Sequence, residues 1–140
     1  MLELYLDTVD VEHVARFNAC LPIRGVTTNP SILAKSGRGL KHALAELAGI
    51  IGPEARFHAQ VVSRTVEDMV EEAKHIHALP YDMVVKVPAT EIGLAAIKKM
   101  KAENIQVLAQ MFAHPAVQPE VDQFIHDWQG VFGSKLSFES

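Results

Sequence analysis

The chain has little cysteine, few aromatic residues and no long run of one charge. Its 140 residues include a single cysteine, Cys20, which excludes an internal disulfide framework and suits a reducing compartment. No window approaches the roughly 18 apolar residues of a membrane helix. The first residues, Met1 to Asp7, lack the positive charge and apolar length of a signal peptide. With a net charge of −4 and no basic cluster, we expect a cytoplasmic protein that binds neither nucleic acid nor membrane.

Short motifs for several chemistries are also missing. The sequence contains no HExxH, CxxC, GxSxG, GxGxxG or P-loop pattern. Its seven histidines are scattered, and His75 and His77 are two residues apart, so they do not share a helical face. The sequence therefore predicts no metal site, no dinucleotide site and no serine hydrolase.

What the chain does contain is an alternation of apolar strands and amphipathic helices, which is typical of βαβ units on a parallel sheet. The predicted strands are Leu2–Leu6, Gly25–Thr27, Phe57–Val62 and Met83–Val87, with Ile105–Leu108 as a possible short fifth. Asp10, Thr65 and Thr90 are predicted helix N-caps, and Pro30 and Ser31 open another helix. A last helix is expected from Pro115 to Phe132. We expect one α/β domain over residues 1–140, with a partial barrel in 1–110 and a C-terminal helix in 115–133.

Lys86 is the most unusual residue of this pattern. It lies in the apolar run Met83-Val84-Val85-Lys86-Val87-Pro88, which reads as a strand buried on both faces. A lysine in such a place is costly unless it is solvated, paired or kept neutral for chemistry. Desolvation would make it a nucleophile for imine formation, but a lysine that reaches the wet end of the strand fits the same pattern.

Other polar residues fall at or near the carboxyl ends of the predicted strands, where active sites of parallel α/β folds collect. Asp7 ends the first strand, Thr27 and Asn29 end the second, and Gln60 is late in the third. Together with Lys86 they would form one polar rim suited to carbonyl chemistry. Each also has a structural interpretation: Asp7 as a turn or cap residue, the Thr27–Asn29 segment as a capped helix start, and Gln60 as a hydrogen-bonded core amide.

Several segments of the chain form a specific combination. They are Leu4-Tyr5-Leu6-Asp7-Thr8, Gly25-Val26-Thr27-Thr28-Asn29-Pro30-Ser31, Ala59-Gln60-Val61, Val84-Val85-Lys86-Val87-Pro88, Gly93-Leu94-Ala95-Ala96-Ile97-Lys98 and Asp127-Trp128-Gln129-Gly130. On these segments the chain resembles the small transaldolase family, and within it the bacterial fructose-6-phosphate aldolase group. The resemblance runs from the first residues to about Ile105 and resumes from Pro115 to Gly133.

This resemblance implies a class I aldolase on a (β/α)8 barrel. It assigns Lys86 to a Schiff base with dihydroxyacetone or with the keto end of fructose 6-phosphate, which is made from dihydroxyacetone and glyceraldehyde 3-phosphate. Asp7, Thr27 and Asn29 match positions around the substrate hydroxyls and the imine, and Gln60 matches a residue that holds the catalytic water. The family needs no metal or organic cofactor. Its members form homo-oligomers in which the C-terminal helix reaches onto a neighbouring subunit.

The resemblance also implies a gap. Between about Ile105 and His114 the chain skips the family's strands five to eight, with their acid/base tyrosine and phosphate-binding arginine and serine. Its own tyrosines, Tyr5 and Tyr81, match neither position. We therefore expect weak or lost aldolase activity. The alternatives are a non-catalytic partner of a full-length homologue, an inert gene remnant, or a carbonyl- or sugar-phosphate-binding module. Pairing of two half-barrels would close the sheet.

Overall fold

The computed structural model describes residues 1–110 and 117–140, and it describes side chains in residues 1–110 and 121–140. The described part contains five parallel strands and six α-helices. The strands are β1 (Leu4–Leu6), β2 (Ile23–Thr27), β3 (Arg56–Gln60), β4 (Asp82–Pro88) and β5 (Val107–Gln110). The helices are α1 (Val11–Asn18), α2 (Pro30–Ser36), α3 (Leu40–Ile51), α4 (Val66–His77), α5 (Glu91–Ala102) and α6 (Val117–Phe132). A short 3-10 helix, Ser137–Glu139, follows.

The strands form one sheet in the order β1-β2-β3-β4-β5, every pair parallel. This is a half-barrel of alternating strands and helices, as the α/β prediction of a partial TIM-type barrel requires. The fifth strand is present, two residues later than the sequence pattern predicts. Its start was predicted too early because Ile105 is apolar and buried although it precedes the strand.

Predicted helix caps agree closely with the structure. Asp10 caps α1 by accepting hydrogen bonds from the Glu12 and His13 amides, and Thr65 and Thr90 cap α4 and α5. The predicted start of the last helix at Pro115 lies outside the described residues. No helix in the described ranges has the length and hydropathy needed to cross a bilayer.

Side chains alternate between two faces of the sheet. On β3 and β4 one set, which includes Phe57, Ala59, Met83 and Val85, is buried and belongs to the same core cluster as the helical residues Leu44, Leu47, Ala73, Ile76, Ala96 and Met100. The other set, Arg56, His58 and Gln60 on β3 and Asp82, Val84 and Lys86 on β4, shares the opposite face. This second face is the inner face of the half-barrel, and no further strand among the described residues closes it. It forms a concave and largely polar surface.

The C-terminal segment folds back onto its own chain. Helix α6 packs on α2, where the Ser31 hydroxyl donates to Asp127 at 2.5 Å. Within the chain Trp128 is buried, and its indole N–H donates to the Lys135 carbonyl. Val121, Ile125 and Trp128 of α6 are therefore buried within the chain, while Val131 stays exposed.

A buried carboxylate anchors the final residues. Glu72 on α4 is fully buried and accepts hydrogen bonds from the Val62 amide, from the amide and hydroxyl of Ser63, and from the amide and hydroxyl of Ser137. The five donors replace the water that the carboxylate loses on burial. Glu72 thus joins the loop after β3 to the C-terminal 3-10 helix.

Candidate active site

The carboxyl ends of the strands surround an open cleft of about 360 Å³ on the inner face of the half-barrel. All five strands contribute to it, by residues in their carboxyl-terminal halves or by residues that follow the strand. The lining residues are Asp7, Thr27, Asn29, His58, Lys86, Leu108 and Gln110. Four of the five residues predicted from sequence are therefore brought together, and the fifth, Gln60, lies beside them.

Lys86 lies in the middle of this arrangement. Parallel pairing sets it opposite Gln60 on β3 and opposite Leu108 on β5. The residue is only 5 % exposed, although it lines the cleft. Burial lowers the pKa of the Lys86 ammonium, and the negative charge of Asp7 opposes that shift. Among the described residues none forms a hydrogen bond or ion pair with this ammonium, so it is a desolvated amine and not a structural ion-pair partner.

Asp7 and Thr27 form a pair at the ends of the first two strands. The Thr27 hydroxyl donates to the Asp7 carboxylate at 2.6 Å. Capping of α1 is done by Asp10, so Asp7 is not the cap residue that the structural interpretation suggested. Its carboxylate is near enough to Lys86 to raise the pKa of that group, and it can therefore stabilise a cation formed there.

Asn29 combines the two roles that the sequence left open. Its side-chain oxygen accepts a hydrogen bond from the Ile32 amide at 2.9 Å and so caps α2, while the residue also lines the cleft. Thr28, between Thr27 and Asn29, turns away from the cleft, because both its amide and its hydroxyl donate to the His58 carbonyl. These bonds tie the loop after β2 to β3, which holds Asn29 in place.

Gln60 is buried at 4 % exposure and does not line the cleft itself. Its side-chain oxygen is buried and has no hydrogen-bond partner among the described residues. A hydrogen-bonded core amide would have satisfied that oxygen. This acceptor belongs to the residue that lies opposite Lys86 on the neighbouring strand.

His58, Leu108 and Gln110 line the cleft but were missed in the sequence. Burial, and then the positive charges of Lys86 and Arg56, lower the pKa of His58 to about 4. The alternation Arg56, His58, Gln60 along β3 was a signal for His58, because residues two apart share a face. Gln110 was missed because the fifth strand was placed two residues too early.

A larger cavity, of about 600 Å³, lies between the start of α1 and the end of α2. Its lysine, Lys35, is exposed, and its guanidinium, Arg38, is paired with Glu46 and bonded to the Val9 carbonyl. Neither group is desolvated as Lys86 is. Among the described residues no group of three His, Cys, Asp or Glu side chains is arranged to hold a metal ion.

Comparison with known families bears directly on the cleft. The family model described as transaldolase/fructose-6-phosphate aldolase matches residues 4–110. The chain belongs to the transaldolase/fructose-6-phosphate aldolase family. The match spans all five strands and every lining residue of the cleft, and it ends at Gln110, before α6. Family membership supports a transaldolase- or aldolase-like function, and it covers both groups without separating them.

Proposed function

We propose that this protein is a Schiff-base aldolase-type protein in which Lys86 forms an imine with a small ketone. The observation that carries the proposal is a desolvated lysine on an inner strand, in a polar cleft and without an ion-pair partner among the described residues. A depressed pKa increases the fraction of neutral amine near neutral pH, and the neutral amine is the nucleophile.

In the proposed reaction the Lys86 nitrogen adds to the ketone carbon and passes a proton to the former carbonyl oxygen. The carbinolamine hydroxyl then takes up a proton from solvent and leaves as water, which gives an iminium. The Asp7 carboxylate, held by the Thr27 hydroxyl, stabilises the positive charge of that iminium. Asn29 and Thr27 are the proposed hydroxyl-binding residues, and the unpaired oxygen of Gln60 is the proposed acceptor for the water. The iminium itself withdraws electrons from the neighbouring carbon, so the proposed chemistry needs no metal or organic cofactor.

Dihydroxyacetone or the keto end of fructose 6-phosphate is the proposed substrate. No arginine lies among the described residues that line the cleft, and Arg56 on the same face is bonded to Asp82 at 2.8 Å. Arginine is the side chain best suited to bidentate phosphate recognition. We therefore propose weak binding of sugar phosphates and weak turnover compared with a complete barrel.

Borohydride trapping tests the proposal. Purified protein is incubated with dihydroxyacetone, reduced, and examined by intact mass and peptide mapping. We expect one adduct, on Lys86, that is lost in Lys86→Met and kept in the control Lys101→Met, whose lysine is exposed. Absence of an adduct in folded protein would refute imine formation, and robust fructose 6-phosphate cleavage would refute the weak turnover.

The alternative is a non-catalytic partner of a full-length homologue. The retained C-terminal helix suggested it, but Val121, Ile125 and Trp128 of α6 are buried within the chain itself. The two sheet edges give this alternative its support, because the outer sides of β1 and β5 pair with no strand among the described residues. The same edges support a homo-oligomer, and the exposed thiol of Cys20 is compatible with a cytoplasmic location. Co-purification with a full-length homologue would favour the partner role, whereas a homo-oligomer without affinity for it would count against that role.

A further inference from the structure

Besides Lys86, two side chains that line the cleft belong to residue types used in proton transfer, Asp7 and His58. Asp7 already accepts the Thr27 hydroxyl, and its negative charge acts on Lys86. His58 has no such engagement. It lies on the neighbouring strand, β3, where it pairs with Val84 while Gln60 pairs with Lys86. His58 is therefore the diagonal neighbour of Lys86, offset by two residues along the strand. This places their Cα atoms on the order of 7–8 Å apart on one face of the sheet, within reach of a small molecule bound between them.

The surroundings of His58 hold its ring in place. The Tyr5 ring packs against it with centroids 4.9 Å apart, and its backbone carbonyl accepts two hydrogen bonds from Thr28. Its Nδ1 atom is buried without a hydrogen-bond partner among the described residues. Nε2 is therefore the ring nitrogen that a molecule in the cleft can reach.

Burial and the surrounding charges keep the His58 ring neutral. Burial acts first, then Lys86 and Arg56, and these together lower the pKa of His58 to about 4, while Asp82 and Glu3 oppose them. At neutral pH the imidazole therefore carries a free lone pair that can accept a proton.

We propose that His58 is the catalytic residue that moves the proton at the carbon next to the Lys86 imine. The inference rests on the proposed function, since it requires the imine. In the step, Nε2 takes the proton from the α-carbon, the C–H electron pair forms the C=C bond, and the C=N electron pair returns to nitrogen. A neutral enamine and an imidazolium result. The reverse step returns the proton to carbon.

Electrostatics favour this coupling. The positive charge on the Lys86 nitrogen opposes protonation of His58, and enamine formation removes that charge in the step in which the proton arrives. Asp7, by contrast, already accepts the Thr27 hydroxyl, and its negative charge favours the cationic nitrogen on which the step depends. The two groups therefore divide the work: Asp7 holds the charge, and His58 transfers the proton.

Exchange of the dihydroxyacetone α-protons with D2O, followed by NMR, measures this step without requiring turnover. We compare wild type, His58→Gln and the matched control His42→Gln, whose histidine is exposed, with Lys86→Met as the background rate. We expect His58→Gln to lose exchange by about 10²–10⁴-fold while it retains the borohydride adduct on Lys86, and His42→Gln to match wild type. Added imidazole should restore exchange to His58→Ala, which a purely structural role of His58 would not allow.

The outcomes separate the two proposals. Wild type that traps dihydroxyacetone but shows no exchange above the Lys86→Met background would overturn the role of His58 and leave the imine intact. The same holds if His58→Gln, shown to be folded by its melting curve, exchanges at the wild-type rate. Failure of folded wild type to form the adduct would overturn the proposed function itself.

Discussion

Replacement of Lys86 by methionine should make the protein more stable while it removes the imine. The side chain is 5 % exposed and its ammonium has no hydrogen bond or ion pair within the described part of the chain. Asp7 compensates only in part for the lost hydration, because burial still lowers the pKa of Lys86. Methionine has a similar length, no charge and an apolar surface that gains from the same burial.

The stability gain of Lys86→Met depends on the cost of the buried charge and on the apolar surface that replaces it. Each unit by which folding depresses a lysine pKa costs about 1.4 kcal/mol at neutral pH, and burial of an apolar side chain contributes about 1.5–3 kcal/mol. The apolar stem of the lysine already gains from part of this burial, so we expect a net gain of about 1–3 kcal/mol for Lys86→Met. For a chain of this length 1 kcal/mol corresponds to roughly 3–4 °C in Tm.

The gain should depend on pH. As the pH falls through 10.5, the ordinary pKa of lysine, the unfolded wild-type chain binds a proton that the folded chain does not yet bind. Wild-type stability therefore falls on that side, and the advantage of Lys86→Met is largest at neutral pH. Above 10.5 the lysine is neutral in both states and the charge-related part of the advantage disappears.

Urea unfolding of wild type, Lys86→Met and the exposed control Lys101→Met, each at neutral and at alkaline pH, measures both quantities. The control should change stability by less than about 0.5 kcal/mol. A variant Lys86→Met that is less stable than wild type at neutral pH would refute the argument, because Lys86 would then be a stabilising structural residue. A gain that does not decrease with rising pH would show that charge burial is not its cause.

Further predictions concern the parts of the chain that support the cleft. Glu72→Ala should lower the free energy of unfolding by about 2–4 kcal/mol in urea, because buried donors lose their acceptor. The control Glu71→Ala, at an exposed carboxylate, should lower it by less than about 0.5 kcal/mol. Equal losses would contradict the anchoring role of Glu72. Gly25→Ala should destabilise by about 1–3 kcal/mol in the same assay, since its Cβ would overlap the Arg56 carbonyl oxygen, and an unchanged midpoint would show that the strands can move apart. Asp7→Asn should lower the pKa of Lys86 further and move the pH at which borohydride trapping sets in downward; an upward shift would contradict the assigned charge interaction.

Local patterns in the sequence were sufficient for the strands, the helices and most caps. Alternating apolar runs and N-cap residues such as Asp10 and Thr65 act over a few residues, so the chain shows them directly. The unusual position of Lys86 was visible for the same reason, since its neighbours on the strand are all apolar. Boundaries were less accurate. The prediction placed β5 two residues too early, because Ile105 is apolar and buried although it lies outside the strand.

Several features depend on contacts between distant residues, and the sequence could not show them. The Thr27–Asp7 bond joins residues 20 apart, and the Glu72–Ser137 bonds join residues 65 apart. Alternation along β3 puts His58 on the same face as Gln60, but its position diagonal to Lys86 depends on the register of β3 against β4.

The sequence by itself determined the alternation of strands and helices, the lysine among valines and the family to which the chain belongs. Only the tertiary structure decided that His58 and Gln110 join Lys86 in the cleft, that Thr27 donates to Asp7, and that α6 packs on its own chain. The physical reason is the range of the interactions involved. Propensity and capping act between neighbours in the chain, whereas burial, pKa shifts and cleft geometry arise when strands pair and bring distant side chains together.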